Sequence, residues 1–293
     1  MKIKRIALIG VGLIGGSLGM ALKQDRKFAG TVVGVGRNQE KLKLARSLGA
    51  VDEITTDIRR GVEKVELVVV TTPVETIAPL VKRILPCIRP QTVITDAGSI
   101  KAPVVESVES LTPRPLFVGS HPLAGSEKSG VRHARKDLFK DAVCVVTPTV
   151  RTDREALFLV TRLWRNVGCR VVELSPCQHD QWVAVSSHLP HVLASSLVEI
   201  TARLARKDKR VKQVLAASFM DLSRVASSDP ELWSQILLGN REAVLRGIRL
   251  FQREVASFAR ILKEGKGRRV KARLRRGKMF RYSLLREKED VQR

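Results

Sequence analysis

The sequence predicts an α/β protein: an N-terminal doubly wound, mostly parallel sheet followed by an all-helical domain. Three observations carry this. Apolar runs of strand length alternate with helical spacing from the N-terminus to about residue 175. A glycine-rich turn joins the first strand to the first helix. From Asp180 to Lys263 no strand pattern remains, and the apolar residues keep a helical period.

Ile6-Ala7-Leu8-Ile9 reads as a buried strand. It runs into Gly10-Val11-Gly12-Leu13-Ile14-Gly15 and then into a helical pattern through Leu18, Ala21 and Leu22. Strand, GxGxxG and helix in that order make a dinucleotide-binding turn of Rossmann type. Gly10 allows the tight turn, Gly12 lets the backbone approach a pyrophosphate at the positive end of the helix, and Gly15 lets helix and strand pack closely. Gly10, Gly12, Leu13, Ile14 and Gly15 are the first part of the expected cofactor site.

Thr31 to Val35 is the second strand, and a helix from Gln39 to Leu48 stops at Gly49. Leu67 to Val70 is a strand buried on both faces, ended by Thr71-Thr72-Pro73, and a helix follows to Ile88. Thr92 to Thr95 ends at Asp96-Ala97-Gly98-Ser99, and Leu116 to Val118 ends at Gly119-Ser120-His121-Pro122. Val143 to Val146 is a further strand. Thr152-Asp153-Arg154-Glu155 reads as a capping box opening a helix through Trp164, and Val171 to Leu174 closes the series. In such sheets ligands bind beyond the C-terminal ends of the strands. The polar clusters Thr71-Thr72, Asp96 to Ser99 and Ser120-His121 should therefore converge on one crevice, with Thr71, Thr72 and Pro73 beside the cofactor.

In the helical half, Ala184, Val185, Leu189, Val192, Leu193, Ser196, Leu197 and Ile200 trace one long helix face. Val211 to Val225 and Arg241 to Leu262 trace two more. These faces carry more apolar positions than a monomer needs, which predicts a homodimer. The expected organisation is a dinucleotide-binding domain at 1–175, a helical substrate and dimerisation domain at 176–265 and a basic tail at 266–293.

At 293 residues, 44% hydrophobic and 28% charged, the chain has the composition of a soluble globular protein. Its apolar runs fall short of a membrane span, and the glycines of the first turn set the N-terminus apart from a signal peptide. Cys87, Cys144, Cys169 and Cys177 show no CxxC and no metal-ligand spacing. They read as reduced thiols in a cytoplasmic protein, two of them buried in strands. The net charge is +24, and residues 263–293 carry 13 basic against 4 acidic residues. A basic body attracts anionic substrates and cofactors. The tail reads as a solvated helix whose contact with nucleic acid is weak and non-specific, because only Phe280 and Tyr282 supply aromatic rings.

Five motifs stand in order: Gly12-Leu13-Ile14-Gly15-Gly16-Ser17-Leu18, Asp96-Ala97-Gly98-Ser99-Ile100-Lys101, His121-Pro122-Leu123-Ala124-Gly125, His188-Leu189-Pro190-His191 and Asp229-Pro230-Glu231-Leu232-Trp233. Over roughly residues 4 to 262 the chain resembles the prephenate dehydrogenase family. The resemblance implies NAD(P)-dependent oxidation of prephenate, or of arogenate, on the route to tyrosine. Such a reaction needs a base for the ring hydroxyl, a clamp for the carboxylates and a cofactor held against the ring.

His121 follows a strand end and has a pKa suited to proton transfer, and the resemblance makes it the base. By resemblance the Ser99 hydroxyl helps hold the substrate hydroxyl; a serine in a Gly-Ser turn can also serve the turn alone. Arg224, within an apolar and small-residue segment, needs an anionic partner. That partner is a substrate carboxylate by resemblance, or Asp221 on the same helix. His188 and His191, three apart, share a helix face but stand in no HExxH, and no metal is expected. By resemblance His191 is the stronger substrate contact, and His188 is either a contact or a structural hydrogen bond. Ser126, Glu127 and Trp233 are pocket walls or simple packing; in the family a tryptophan at this place can come from the partner subunit.

NAD sites usually end the second strand in an acidic residue that bonds the ribose 2′-hydroxyl. Here the sequence is Val35-Gly36-Arg37-Asn38. Arg37 can pair with a 2′-phosphate with help from Asn38, which favours NADP over NAD, or it can stack on adenine without discriminating. A non-catalytic nucleotide sensor or nucleic-acid binder is the rival of another class, and the intact His121, Ser99 and Arg224 weigh against it.

Overall fold

The computed structural model describes residues 3–25, 28–126 and 128–292. They form two compact units, residues 1–241 and 242–293.

The first unit is built on an eight-stranded sheet: β1 (Arg5–Ile9), β2 (Thr31–Val35), β3 (Glu53–Thr55), β4 (Leu67–Val70), β5 (Val93–Asp96), β6 (Leu116–Pro122), β7 (Val143–Thr147) and β8 (Arg170–Glu173). Their order is β3-β2-β1-β4-β5-β6-β7-β8, parallel throughout except between β6 and β7. Successive residues of a strand face opposite sides. Ile6 and Leu8 therefore enter one core with Leu18 and Leu22 of α1 (Leu13–Gln24), Ala45 of α2 (Gln39–Ser47) and Leu159 and Trp164 of α6 (Arg154–Asn166). Ala7 and Ile9 enter the other with Ile58 of α3 (Ile58–Val62), Ile77 and Val81 of α4 (Val74–Ile84) and Val104 and Val108 of α5 (Ala102–Glu109). Both faces are covered, which explains the unbroken apolar runs in the strands.

The sequence does not announce β3, α3 or α5. Glu53-Ile54-Thr55 has no apolar alternation, and the strand exists because it pairs with Val33 to Val35 of β2. The strand expected to end at Val118 runs on to Pro122. Its first half pairs with β5, and from Gly119 to Pro122 it pairs antiparallel with β7. His121 is thus carried past the end of the parallel sheet and stands opposite Val145. The cap of α6 also differs from the expected box: Asp153 accepts from Ala156 N at 2.9 Å, while Thr152 Oγ1 accepts from Thr149 N at 2.8 Å in the preceding turn.

After β8 the chain turns helical. Ser175 and Gln178 form a capping box that opens α7 (Pro176–Val183). A π-helical turn, Ala184–His188, joins α7 to α8 (Leu189–Lys207) without a break. His191 stands twelve positions after His179. At about 100° per residue an unbroken α-helix would place them about 120° apart; the wider turn absorbs one residue and brings both to one buried face. By length and composition the run Pro176–Lys207 could cross a membrane. Its buried face, however, holds His179, Asp180, His188 and His191, and the first three are hydrogen-bonded within the unit, as in a core helix.

The helix expected over Val211 to Val225 is divided. Lys209–Val214 is 3-10, Leu215 and Ala216 are extended, α9 spans Ala217–Ser223, and Arg224–Ser227 is again 3-10. Leu215 and Ala216 are not helix breakers, so packing of these short pieces along α8 overrides local propensity. α10 (Pro230–Gly239) ends the unit, its N-terminus capped by Asp229, which accepts from Glu231 N at 2.9 Å. The second unit is made of α11 (Arg241–Lys263) and α12 (Gly267–Gln292), joined across Gly265 at φ +64 and tied by an Arg273–Glu254 ion pair.

Candidate active site

Two groups of residues meet the C-terminal edge of the sheet. The first surrounds the glycine turn, where the strand order reverses between β1 and β4. Gly10 has φ +95, a conformation that excludes ordinary side chains. Its N–H donates to Val35 O at 2.9 Å, and its carbonyl accepts from Thr71 Oγ1 at 2.5 Å, so β1, β2 and β4 end together. A Cβ on Gly15 would stand 2.5 Å from both Gly10 O and Thr71 Oγ1, so helix and turn touch there. A Cβ on Gly12 would meet nothing within 4 Å. Gly12 is the N-cap of α1 and no side chain of the described residues caps the helix, so the first-turn N–H groups, those of Leu13 and Ile14 among them, border open space. This cradle fits a dinucleotide pyrophosphate. Arg37 is exposed beyond β2, while the Asn38 side-chain oxygen is engaged as the cap of α2, accepting from Lys41 N at 2.9 Å. Thr72 Oγ1 accepts from Thr76 Oγ1 at 2.8 Å, and Pro73 is the exposed N-cap of α4.

The second group lies past β5 and β6. Asp96 and Lys101 are fully buried and paired with each other. The Asp96 carboxylate also accepts from Gly98 N at 2.8 Å and Ser120 N at 3.1 Å, and Lys101 Nζ donates to Ser120 O at 3.0 Å. Trp164 Nε1 donates to Ser120 Oγ at 2.9 Å. Each charge has a partner and further hydrogen bonds, so the loop bearing half-buried Ser99 is locked against the strand bearing His121.

His121 is half-buried. Its Nδ1 lies 2.8 Å from Nε2 of fully buried His179, and the rings meet edge-on at 5.1 Å. His179 Nδ1 lies 2.7 Å from Asp180 Oδ1. The Asp180 carboxylate accepts from Lys101 N and Ala102 N, each at 2.8 Å. Desolvation pushes the His121 pKa well below its ordinary value, and the nearby His179, Lys101 and His188 push it the same way. His121 is therefore neutral, and so able to accept a proton, across the neutral range.

A third cluster borders these residues on the helical side. Asn240 Nδ2 donates to Asp180 O at 2.8 Å and lies 3.2 Å from His188 Nδ1. Burial lowers the pKa of His188 to about 4, and burial also lowers that of His191. The His191 ring stacks on Trp233 at 3.6 Å and 10°, and its buried Nδ1 has no hydrogen-bond partner among the described residues. Arg224 is exposed on the 3-10 turn after α9. Ser126 is exposed beyond β6, its hydroxyl accepting from Lys128 N at 2.9 Å; Glu127 lies outside the described residues.

Sequence reasoning missed His179, Asp180 and Asn240 as members of this network. The available signal was an adjacent His-Asp pair inside an apolar helical pattern, where each polar group needs a partner. Among the described residues no cluster suits a metal ion. Burial raises the thiol pKa of Cys144 and carries that of Cys169 to about 12, so both stay as neutral thiols.

Residues 18–173 match the family described as prephenate dehydrogenase, nucleotide-binding domain, and residues 175–276 match prephenate dehydrogenase, dimerization domain. A prephenate dehydrogenase of Bacillus subtilis is 38% identical over 82% of this chain; the match spans 65% of the Bacillus protein. A cyclohexadienyl dehydrogenase of Zymomonas mobilis is 34% identical over 83% of each chain. The solved prephenate dehydrogenase of A. aeolicus, in complex with hydroxyphenyl propionate and NAD+, superposes with a TM-score of 0.91 at 31% identity, covering 97% of this chain and 99% of that one.

Proposed function

This chain belongs to the prephenate dehydrogenase family, and from that premise we propose that it converts prephenate to 4-hydroxyphenylpyruvate by oxidative decarboxylation, with His121 as the base. The observation that carries the reading is the placement of a neutral, half-buried histidine at the end of β6, on the sheet edge that also bears the dinucleotide cradle.

When bound, the nicotinamide dinucleotide supplies the acceptor for the hydride leaving ring C4. The N–H groups of the Gly12-Leu13-Ile14-Gly15 turn hold its pyrophosphate, and the ends of β1 and β4 shape the crevice above them. His121 takes the hydroxyl proton, with Ser99 helping to hold the same hydroxyl. Loss of carbon dioxide makes the ring aromatic and drives the step forward. His191, His188 and Trp233 line the helical side of the substrate site, with Ser126 and Glu127 as further wall residues, and Arg224 pairs with a substrate carboxylate. Arogenate differs from prephenate only in the side chain. A likeness to the arogenate dehydrogenase of Synechocystis, with a TM-score of 0.83 at 26% identity, keeps it as the alternative substrate.

NADP is the favoured cofactor and NAD the second. Arg37 carries this reading, since no acidic residue stands at the end of β2 to repel a 2′-phosphate. A homodimer is supported by the matched dimerization domain and by exposed apolar side chains along the helices, among them Ile200, Leu204, Met220 and Leu222. A cytoplasmic location fits the four free thiols.

The test is a set of rates with prephenate and arogenate, each with NAD and NADP, for the wild type and His121→Asn. Prephenate should turn over, and His121→Asn should bind cofactor normally while losing roughly 10²–10⁴ in kcat. Turnover with no pair, or a His121→Asn enzyme of normal kcat, would overturn the reading.

A further inference from the structure

We propose that His179 and Asp180 are positioning residues for His121: they fix its tautomer so that Nε2 is the bare nitrogen, and they share the charge His121 gains on accepting a proton. The inference rests on the proposed role of His121 as base.

Donors and acceptors along the His121–His179–Asp180 line fix where each proton sits. Asp180 Oδ1 accepts from Lys101 N and Oδ2 from Ala102 N, both backbone groups that can only donate. Those bonds seat a carboxylate at the start of α5, where the helix dipole favours negative charge. Facing that carboxylate at 2.7 Å, His179 Nδ1 carries its proton. With its ring proton on Nδ1, His179 presents a bare Nε2, and in the 2.8 Å contact His121 Nδ1 is the donor. One proton remains per neutral imidazole, so His121 Nε2 is bare. When the substrate hydroxyl O–H breaks, its proton forms the new N–H at His121 Nε2. The resulting positive charge is shared through the His121 Nδ1–H and His179 to the Asp180 carboxylate, and no atom leaves the protein.

The groups facing His121 agree with this direction. Lys101 stands on the β5 side, already paired with Asp96, and His188 is held near Asn240. Cys144, next to its strand partner Val145, is a neutral thiol. Among the described groups around His121, Asp180 supplies the nearest carboxylate line through a hydrogen-bonded ring. Asp180 is in turn fixed by backbone N–H groups and by Asn240 on its own carbonyl, so the line is rigid at its far end.

The chain has five histidines, so their imidazole nitrogens are resolvable by 15N–1H correlation on the intact protein. The wild type should show His121 protonated at Nδ1. In Asp180→Asn the amide oxygen keeps the bond from Ala102 N, and the NH2 takes the Oδ1 place, facing His179 Nδ1 and giving up the bond from Lys101 N. His179 then carries its proton on Nε2 and donates to His121, which is left protonated at Nε2. The expected result is a kcat lower by roughly 10²–10⁴-fold with the cofactor Kd and substrate KM within about twofold, the pattern of a histidine base held in the wrong tautomer. His179→Gln, whose amide oxygen accepts from His121 Nδ1, should keep the tautomer and more of the kcat. A wild-type spectrum with the proton on His121 Nε2 overturns the inference, and this spectrum decides the matter if Asp180→Asn does not fold. So does a folded Asp180→Asn enzyme with wild-type kcat beside an inactive His121→Asn. A fully active His121→Asn would instead remove the base reading, and the positioning role with it.

Discussion

Replacing Gly12 with Ala separates binding from folding. At Gly12 the backbone has φ −96 and ψ −147, a little beyond the extended region, and the added methyl meets no atom of the described residues within 4 Å. The cost to the fold should be small beside that of Gly15→Ala. The space the methyl enters is the one a pyrophosphate must occupy to reach the uncapped N–H groups of α1. A hydrogen bond to a charged group contributes about 1.5–3 kcal/mol. Displacing the pyrophosphate from even one N–H should therefore raise the cofactor Kd roughly ten- to hundredfold. Gly15→Ala is the control. Its methyl would lie 2.5 Å from Gly10 O and from Thr71 Oγ1, so the turn must open and stability should fall by about 1–3 kcal/mol, the usual cost of overpacking. Calorimetric titration with NAD and NADP, alongside thermal unfolding of the apoprotein, reads both effects. A Gly12→Ala protein that binds either cofactor with wild-type Kd would refute the placement of the pyrophosphate at this turn.

Three other outcomes are expected. Gly36→Asp with Arg37→Ile should reverse the cofactor preference towards NAD, because a carboxylate at the end of β2 bonds a 2′-hydroxyl and repels a 2′-phosphate; a wild type that prefers NAD tenfold would remove Arg37 from the 2′-site. Arg224→Ala should raise KM for prephenate at least tenfold, from about 2–5 kcal/mol for a lost charge-assisted contact, and leave the cofactor Kd alone; unchanged KM with earlier melting would make Arg224 structural. The protein should lose stability on acidification. His188 has a folded pKa of about 4 against 6.5 unfolded, so the unfolded chain takes the proton first. The stabilisation is complete above pH 6.5 and is lost as pH falls to about 4, by about 3 kcal/mol. Denaturant midpoints measured across that window should slope less in His188→Gln, and equal slopes would show that His188 is not the group responsible.

Much of the parallel sheet and one edge of the crevice are legible in the chain itself. Ile6 to Ile9, Val32 to Val35 and Leu67 to Val70 are runs that only a strand covered on both faces can bury, and Gly10-x-Gly12-x-x-Gly15 states its turn in local backbone terms. His121 and Ser99 stand at strand ends, so their place at the C-terminal edge follows from topology. Where structure departs from local pattern, a partner distant in sequence is responsible. β3 exists through its register with β2, and the Val211 to Val225 helix breaks where short pieces pack along α8. Asp180 is held by the backbone of Lys101 and Ala102, nearly eighty positions away, and that distance hides the His121–His179–Asp180 line from any local pattern. The π turn at Ala184–His188 likewise has no signature in residue spacing; it rotates the following helix by about one residue, and His191 joins the face of His179. Sequence by itself determined which residues are strand, turn and helix wherever periodicity and glycine chemistry act over a few positions. Tertiary structure alone decided which polar side chains meet, because a buried hydrogen bond is satisfied by whatever the folded chain brings within reach.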